Sequence, residues 1–259
     1  MTPPNEGQPT RIALITGSSR GLGRSMALHL AERSTDIVLT FRSGEAEARE
    51  VAAQIQAKGR KVVALRLDVA SSKTFASFAE LLKAELARVW QRDSFDYLVN
   101  NAGNGVHASF AETTEEQFDE LMNTHLKGTF FLTQRLLPLL SDGGGILNVS
   151  TGLARFTFPG FAAYAAMKGG VEVLTRYMAK ELGVRRISVN TLAPGPIETD
   201  FGGGAVRDNP DMNRALAAQA ALGRVGLPDD IGAAVAMLLA AESRWITGQR
   251  IEASGGTLL

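Results

Sequence analysis

Residues 11–23 read RIALITGSSRGLG, and the reading of this stretch decides the fold. Ile12–Thr16 is a short apolar run of the kind that makes a strand buried on both faces. It enters a glycine-rich turn, Gly17-Ser18-Ser19-Arg20-Gly21-Leu22-Gly23, and a helical pattern follows from Gly21 to Arg33. Glycines stand where a chain turns sharply and where backbone must approach a pyrophosphate closely. The first turn of the following helix offers free N–H groups and a positive dipole end to such an anion. The spacing is Gly-x3-Gly-x-Gly rather than Gly-x-Gly-x2-Gly. Alone it would equally suit a plain tight turn. Between a first strand and a first helix it predicts a dinucleotide-binding turn.

Working outward, the same alternation repeats to the end of the chain. Further strands are predicted at Ile37–Phe41, Val62–Leu67, Tyr97–Asn100, Ile146–Val149, Ile187–Leu192 and Arg250–Glu252. Between them lie helical patterns at Glu45–Lys58, Ser72–Trp90, Thr114–Leu140, Tyr164–Leu182 and Asp229–Ala241. Alternating strands and helices predict an α/β fold: a doubly wound parallel sheet with helices on both faces. Residues 1–10, MTPPNEGQPT, read as a flexible tail, and 11–259 as one catalytic domain. The Gly- and Pro-rich stretch Pro194–Asp211, followed by an Ala-rich helical pattern at Met212–Leu222, predicts a lid-like segment around 196–222. A surface loop without a role is the plainer alternative.

Composition narrows the function classes. The 259 residues carry 27 Lys plus Arg against 27 Asp plus Glu, so there is no basic footprint for nucleic acid. No cysteine is present, which excludes thiolate chemistry and Cys-ligated zinc and fits a reducing, cytoplasmic setting. The three histidines lack metal-ligand spacing, and no metal is expected. No apolar run approaches the roughly 18 residues of a membrane span, and the N-terminus has no signal-peptide pattern.

The second strand addresses the cofactor's 2′ group. NAD sites usually place a carboxylate at its end, bonding the ribose hydroxyls. Here the strand ends Leu39-Thr40-Phe41-Arg42-Ser43, without one. Arg20 and Arg42 are placed to meet a 2′-phosphate, whose oxygens suit a guanidinium fork. NADP(H) is therefore favoured over NAD(H).

From Arg11 to the C-terminus the chain resembles the short-chain dehydrogenase/reductase family, in particular its 3-oxoacyl-ACP-reductase-like and ketone reductase members. The motifs that carry the resemblance are Thr16-Gly17-x3-Gly21-x-Gly23, Asp68-Val69, Asn100-Asn101-Ala102-Gly103, Tyr164-x3-Lys168, Pro194-Gly195 and Gly255-Gly256. The resemblance implies a single Rossmann-like domain, a seven-stranded sheet and a homotetramer or homodimer. It implies that the cofactor lies along Gly17, Ser19, Arg20, Gly21, Leu22 and Gly23, with Arg42 and Ser43 at the 2′ group. It further implies that Asp68 and Val69 touch adenine, that Asn101, Ala102 and Gly103 line the cofactor, and that Pro194, Gly195, Ile197 and Thr199 line the nicotinamide.

Tyr164 and Lys168 stand four apart on a predicted helix and so share a face. A free tyrosine titrates at about 10, and a nearby ammonium favours its phenolate. Tyr164 is therefore read as the general acid/base, giving a proton to a carbonyl oxygen or taking one from an alcohol. By resemblance, Lys168 also holds the nicotinamide ribose. The family usually has a serine thirteen residues before the tyrosine. Here that position is Thr151, with Ser150 beside it as the alternative. A threonine hydroxyl can stabilise the same oxygen. The family's asparagine in Asn-x-x-Gly-x-Phe, which ends a proton relay, is replaced by His125. Histidine can hold a water or pass a proton there, or be a buried structural residue. His29 and His107 are read as structural or solvent-facing.

Phe156, Phe158, Phe161 and Phe201 are candidate walls of an apolar substrate pocket, and equally candidate core or interface residues. Arg155 is the one charge near this wall, and reads as a surface or interface charge. The reading is an NADP-dependent oxidoreductase interconverting a ketone or aldehyde with an alcohol. The alternative is an NADP-binding sensor or scaffold, kept open by Thr151 and His125. Enoyl reduction is argued against by the three residues between Tyr164 and Lys168, because that branch of the superfamily resembled here typically has six.

Overall fold

The computed structural model describes residues 10–259. The expected flexible tail therefore lies outside the described residues, except for Thr10.

Seven strands form one parallel sheet in the order β3-β2-β1-β4-β5-β6-β7. They are β1 Ile12–Ile15, β2 Asp36–Phe41, β3 Val62–Arg66, β4 Phe95–Asn100, β5 Leu140–Val149, β6 Ser188–Pro194 and β7 Arg250–Ala253. Every residue of β1, β2 and β4 is buried, as central parallel strands covered on both faces should be. The helices are α1 Gly21–Glu32, α2 Glu45–Ala57, α3 Phe75–Trp90, α4 Glu115–Leu121, α5 Gly128–Leu136, α6 Ala162–Leu182, α7 Ala205–Asp208, α8 Pro210–Ala217 and α9 Pro228–Leu238. Met26, Ile55, Ile231 and Val235 bring α1, α2 and α9 onto one face of the sheet. Phe78, Leu82, Leu132, Leu136 and Leu182 bring α3, α5 and α6 onto the other. The doubly wound seven-stranded sheet is as expected.

The sheet's winding reverses between β1 and β4. The carboxyl ends of these strands flank the crevice where doubly wound folds bind ligands. A buried polar ladder fixes this edge from below. Asn100 Nδ2 donates to Asn148 Oδ1 at 2.8 Å, Asn148 Nδ2 donates to Thr175 Oγ1 at 2.8 Å, and Thr191 Oγ1 donates to Thr175 Oγ1 at 2.8 Å. The ladder ties β4, β5 and β6 to α6, the helix that carries Tyr164 and Lys168.

Three local expectations are corrected. The single helix predicted over Thr114–Leu140 is α4, a π-helical turn at Met122–Lys127, α5 and a short 3₁₀ turn. Its capping box is present: Thr114 Oγ1 accepts from Gln117 N, and Gln117 Oε1 accepts from Thr114 N. Pro138 lies in the 3₁₀ turn and cannot continue a helix. The chain then enters β5 at Leu140, earlier than predicted, through Gly143-Gly144-Gly145. Glycine is poor in strands, which hid this part. The helix predicted over Met212–Leu222 is α8, which starts at Pro210 because Asn209 Oδ1 caps it, accepting from Asp211 N and Met212 N at 3.1 and 3.0 Å.

Candidate active site

The glycine-rich turn sits at the end of β1 as expected. Thr16 closes it against β4: its Oγ1 accepts from Asn101 N and Ala102 N, both at 2.9 Å. Asn101 Nδ2 donates back to Thr16 O at 2.8 Å and Gly17 O at 3.1 Å. Gly23 must be glycine, because a β-carbon there would press on the Gly17 carbonyl and stand 2.7 Å from Asn101 Nδ2. Arg20 precedes α1 without a side-chain cap, and no carboxylate occupies the first turn, so the helix's N–H groups stay available to an anion. Leu22 packs into the core and contributes backbone here. Across the crevice, Thr199 is the nearest group to the face of Gly21, with its Cβ 4.0 Å from where a β-carbon would stand.

Arg42 and Ser43 are exposed just after β2. The Arg42 carbonyl accepts from Arg66 Nε at 3.2 Å. Among the described residues neither Arg20 nor Arg42 takes part in a salt bridge, so both guanidinium groups are available to a phosphate. Asp68 Oδ1 accepts from Ala70 N at 3.0 Å, which shapes the turn at Asp68-Val69. Pro194 ends β6, and Gly195 N donates to Ala253 O at 3.1 Å. Ile197 turns its side chain into the core against Gly226, and its backbone pairs with that residue. These residues fit a dinucleotide: a tight turn, unpaired helix N–H groups, a gap facing Thr199 and two free guanidinium groups.

Tyr164 and Lys168 lie one turn apart on α6, both buried. Lys168 Nζ donates to Val149 O at 2.7 Å and lies 5.8 Å from the centre of the Tyr164 ring. Burial lowers the Lys168 ammonium to about 8. Burial also pushes the Tyr164 phenol well above its ordinary value, against the opposing effect of the Thr151 hydroxyl. The chain's own structure thus favours a phenol that keeps its proton, where the sequence alone suggested a phenol lowered by the ammonium. The ammonium is itself weakened by burial.

Thr151 lies two residues past the end of β5 and caps a 3₁₀ turn at Gly152–Ala154. Its Oγ1 accepts from Leu153 N at 3.3 Å, which leaves the hydroxyl proton free to be donated. Its carbonyl accepts from Arg250 Nη2 at 3.2 Å. Ser150 is turned away: its Oγ donates to Glu172 Oε1 at 2.7 Å. Arg250 Nε reaches the same carboxylate at 2.8 Å. Of the two hydroxyls, only that of Thr151 faces Tyr164.

His125 is buried in the π-helical turn, edge-on to Tyr164 with ring centres 5.1 Å apart. Its Nε2–H is given to the Asn104 carbonyl at 2.8 Å, and its Nδ1 is buried with no partner. Burial, helped by the charge of Lys168 and opposed by the Asn104 carbonyl, lowers its titration to about 3. His125 is therefore a neutral imidazole around pH 7, with one acceptor to offer and no charge to switch. Gly103 lies against it, 2.8 Å separating His125 Cε1 from where a β-carbon would stand.

Of the four phenylalanines, Phe201 packs on Tyr164 and Phe161 joins the small cluster of Leu121, Tyr164 and Met167. Phe156 lies under Arg155, whose guanidinium carbon is 4.9 Å from the ring centre and whose Nη1 bonds Glu252 at 2.9 Å. Phe158 is half-buried. His107 packs edge-on against Phe161 at 5.0 Å, and His29 Nδ1 bonds the Ser25 carbonyl at 2.9 Å. Among the described residues no group of three His, Asp or Glu side chains is placed to hold a metal ion, and no helix is long and apolar enough to cross a membrane. Sequence reasoning missed Asn148, Thr175, Glu172 and Arg250. The signal was present, as polar residues inside apolar strands and on the buried side of α6. Nothing in their spacing tells which partners they meet.

Comparison with known proteins agrees with this fold. A family model described as enoyl-(acyl carrier protein) reductase matches residues 17–257. A tetrahydroxynaphthalene reductase of Pestalotiopsis fici is 35% identical over 257 residues, covering 95% of this chain and 91% of the relative. Among solved structures, the reductase LugOII, described as catalysing keto-reduction at C1 in lugdunomycin biosynthesis, is 38% identical. It superposes with a TM-score of 0.91 over 97% of this chain and 99% of its own. The angucycline C-6 ketoreductase LanV, solved with bound NADP, is 35% identical with a TM-score of 0.91, over 96% and 95% of the two chains.

Proposed function

This chain belongs to the short-chain dehydrogenase/reductase family, and from that premise we propose that it is an NADPH-dependent ketoreductase acting on flat, multi-ring aromatic ketones. The observation that carries the reading is the placement of Tyr164: a buried phenol one helical turn from Lys168, beside Thr151 and under a phenylalanine ring. A phenol so placed can give its proton to a carbonyl oxygen undergoing reduction. The relatives' substrates, naphthalene- and angucycline-type ring systems by name, supply the substrate class.

Bound NADPH supplies the hydride. Gly17, Ser19, Arg20, Gly21, Leu22 and Gly23 hold its pyrophosphate, with Arg20 and Arg42 at the 2′-phosphate and Ser43 beside them. Asp68, Val69, Asn101, Ala102 and Gly103 line its adenosine and ribose side. Pro194, Gly195, Ile197 and Thr199 line its nicotinamide side. Thr151 donates to the substrate oxygen as charge builds there. Tyr164 delivers the proton to that oxygen, and Lys168 orients the ribose and favours the phenolate left behind. His125 offers Nδ1 as an acceptor to a water or ribose hydroxyl and holds the Asn104 loop through Nε2. The segment around 196–222 closes over the substrate. A homo-oligomer completes the proposal: Phe130 and Phe131 of α5 and Val173 and Tyr177 of α6 are exposed apolar side chains suited to a second copy.

The purified protein should oxidise NADPH with bicyclic aromatic ketones such as 2-tetralone. Tight NADPH binding without turnover of any ketone or alcohol would favour the sensor alternative. Within this scheme Thr151→Ser should retain most activity. Thr151→Val, which keeps the shape and loses the donor, should lower kcat by about 100-fold. Equal rates for threonine and valine would remove Thr151 from the chemistry.

The pH profile follows from the shifts. Lys168 is charged below about 8 and loses its proton above that, while Tyr164 keeps its proton through the same range. For reduction, kcat/KM should be flat from pH 6 to 7.5 and fall as pH rises past about 8. His125 charges only near pH 3, so His125→Asn should leave that profile's shape unchanged. An inflection near 6.5 that disappears in His125→Asn would show the imidazole to be a proton carrier.

A further inference from the structure

A ketone must bring its oxygen within hydrogen-bond reach of the Tyr164 hydroxyl, yet the chain itself covers that residue. Tyr164 is only 6% exposed. The Phe201 ring lies against it, with ring centres 5.6 Å apart and planes tilted by 51°. Phe201 fits there because residue 105, on the loop after β4, has no side chain. A β-carbon on Gly105 would stand 2.7 Å from Phe201 Cζ and 3.0 Å from Cε1. The seat therefore has two parts from distant stretches of chain, the Tyr164 ring and the Gly105 notch.

What holds Phe201 in the seat is slight. The side chain is 42% exposed on its outer side. It is followed by Gly202, Gly203 and Gly204 with φ of 62°, 73° and 80°, three consecutive residues in the left-handed region. Nothing lies within 4 Å of where β-carbons on Gly202 or Gly203 would stand. On one side of the glycines, Phe201 N donates to Thr199 Oγ1 at 3.2 Å. Arg207 bonds Asp208 at 2.7 Å and reaches back across the glycines to Asp200 at 2.5 Å. That closing pair is solvent-exposed, and such pairs contribute little. The geometry is that of one aromatic side chain on a short glycine loop closed by an exposed ion pair.

We infer that Phe201 is a displaceable plug seated on Tyr164 and Gly105, and that it selects for ketones whose own flat aromatic ring can take over that seat. Leaving the seat uncovers the Tyr164 ring and the Gly105 notch. An aromatic ring restores those contacts with the same shape and the same ring-on-ring geometry. A short aliphatic ketone leaves the seat part-filled and bears the cost of displacing the plug. The inference rests on the ketoreductase reading and adds to it the residues that set substrate choice.

The test compares wild type, Phe201→Ala and Gly105→Ala on 2-tetralone and 2-butanone with NADPH. With the plug removed, or unseated by the new β-carbon, kcat/KM for 2-butanone should rise and the tetralone-to-butanone ratio should fall about tenfold or more. A second readout needs no turnover. In Phe201→Trp with NADP⁺, saturating 2-tetralone should shift the indole emission, measured as a difference from wild type treated identically. Adding Gly105→Ala should place the emission at the shifted value before any ketone is present. Turnover of tetralone with an unchanged ratio and unshifted emission would overturn the plug and leave the ketoreductase standing. Shifted emission without turnover on NADPH would support the plug and overturn the ketoreductase. Neither turnover nor shift would overturn both.

Discussion

Tyr164→Phe should lower kcat/KM for ketone reduction by about 10²- to 10⁴-fold, the usual worth of a positioned general acid, while NADPH affinity stays nearly unchanged. The substitution removes one hydroxyl and little else. The ring keeps its contacts with His125 at 5.1 Å and Phe201 at 5.6 Å, so the fold and seat persist. The lost group is one that burial keeps protonated. Of the neighbouring donors, Thr151 already serves the substrate oxygen in the same scheme. One Lys168 N–H is committed to the Val149 carbonyl at 2.7 Å, and Ser150 is turned to Glu172. Steady-state rates alongside a fluorescence titration of NADPH check this. Undiminished turnover would remove Tyr164 from the mechanism.

Arg42→Ala should weaken NADPH binding by roughly tenfold to a hundredfold, as expected for loss of a charge-assisted hydrogen bond of about 1.5–3 kcal/mol. NADH binding should hardly change, since only NADPH carries the 2′-phosphate. The Arg42 backbone is anchored through Arg66 Nε at 3.2 Å, so the effect belongs to the side chain. Arg20, on the turn itself, should act in the same direction. The site is exposed, and the preference should shrink as salt is added. Titrations of both cofactors against wild type and variant test the assignment. Equal weakening of NADPH and NADH would show that Arg42 reads something other than the 2′ group.

Much of this was legible in the sequence because short-range rules govern it. The run Ile12–Thr16, the glycine turn and the alternation of apolar strands with amphipathic helices lead directly to a doubly wound sheet, because buried parallel strands admit few polar residues. The spacing of Tyr164 and Lys168 places them on one helical face because the helix repeat requires it. Other features depend on contacts between distant residues. The π-helical turn that buries His125, and the commitment of its Nε2 to Asn104, come from packing of α4 and α5 against the loop after β4. The protonation of Tyr164 depends on burial, which no spacing reveals. Gly105 is one glycine among 27 until Phe201 is seen against it. The early start of β5 was hidden by three glycines whose propensity opposes the strand they enter.

The most direct test of the central claim is the fate of the hydride. The protein, NADPH deuterated at C4 on the transferred face, and 2-tetralone should give the alcohol with one deuterium on the carbinol carbon, read by mass spectrometry. Tyr164→Phe should give almost none. Labelled cofactor that binds and is recovered unchanged, with no deuterated alcohol formed, would contradict the account.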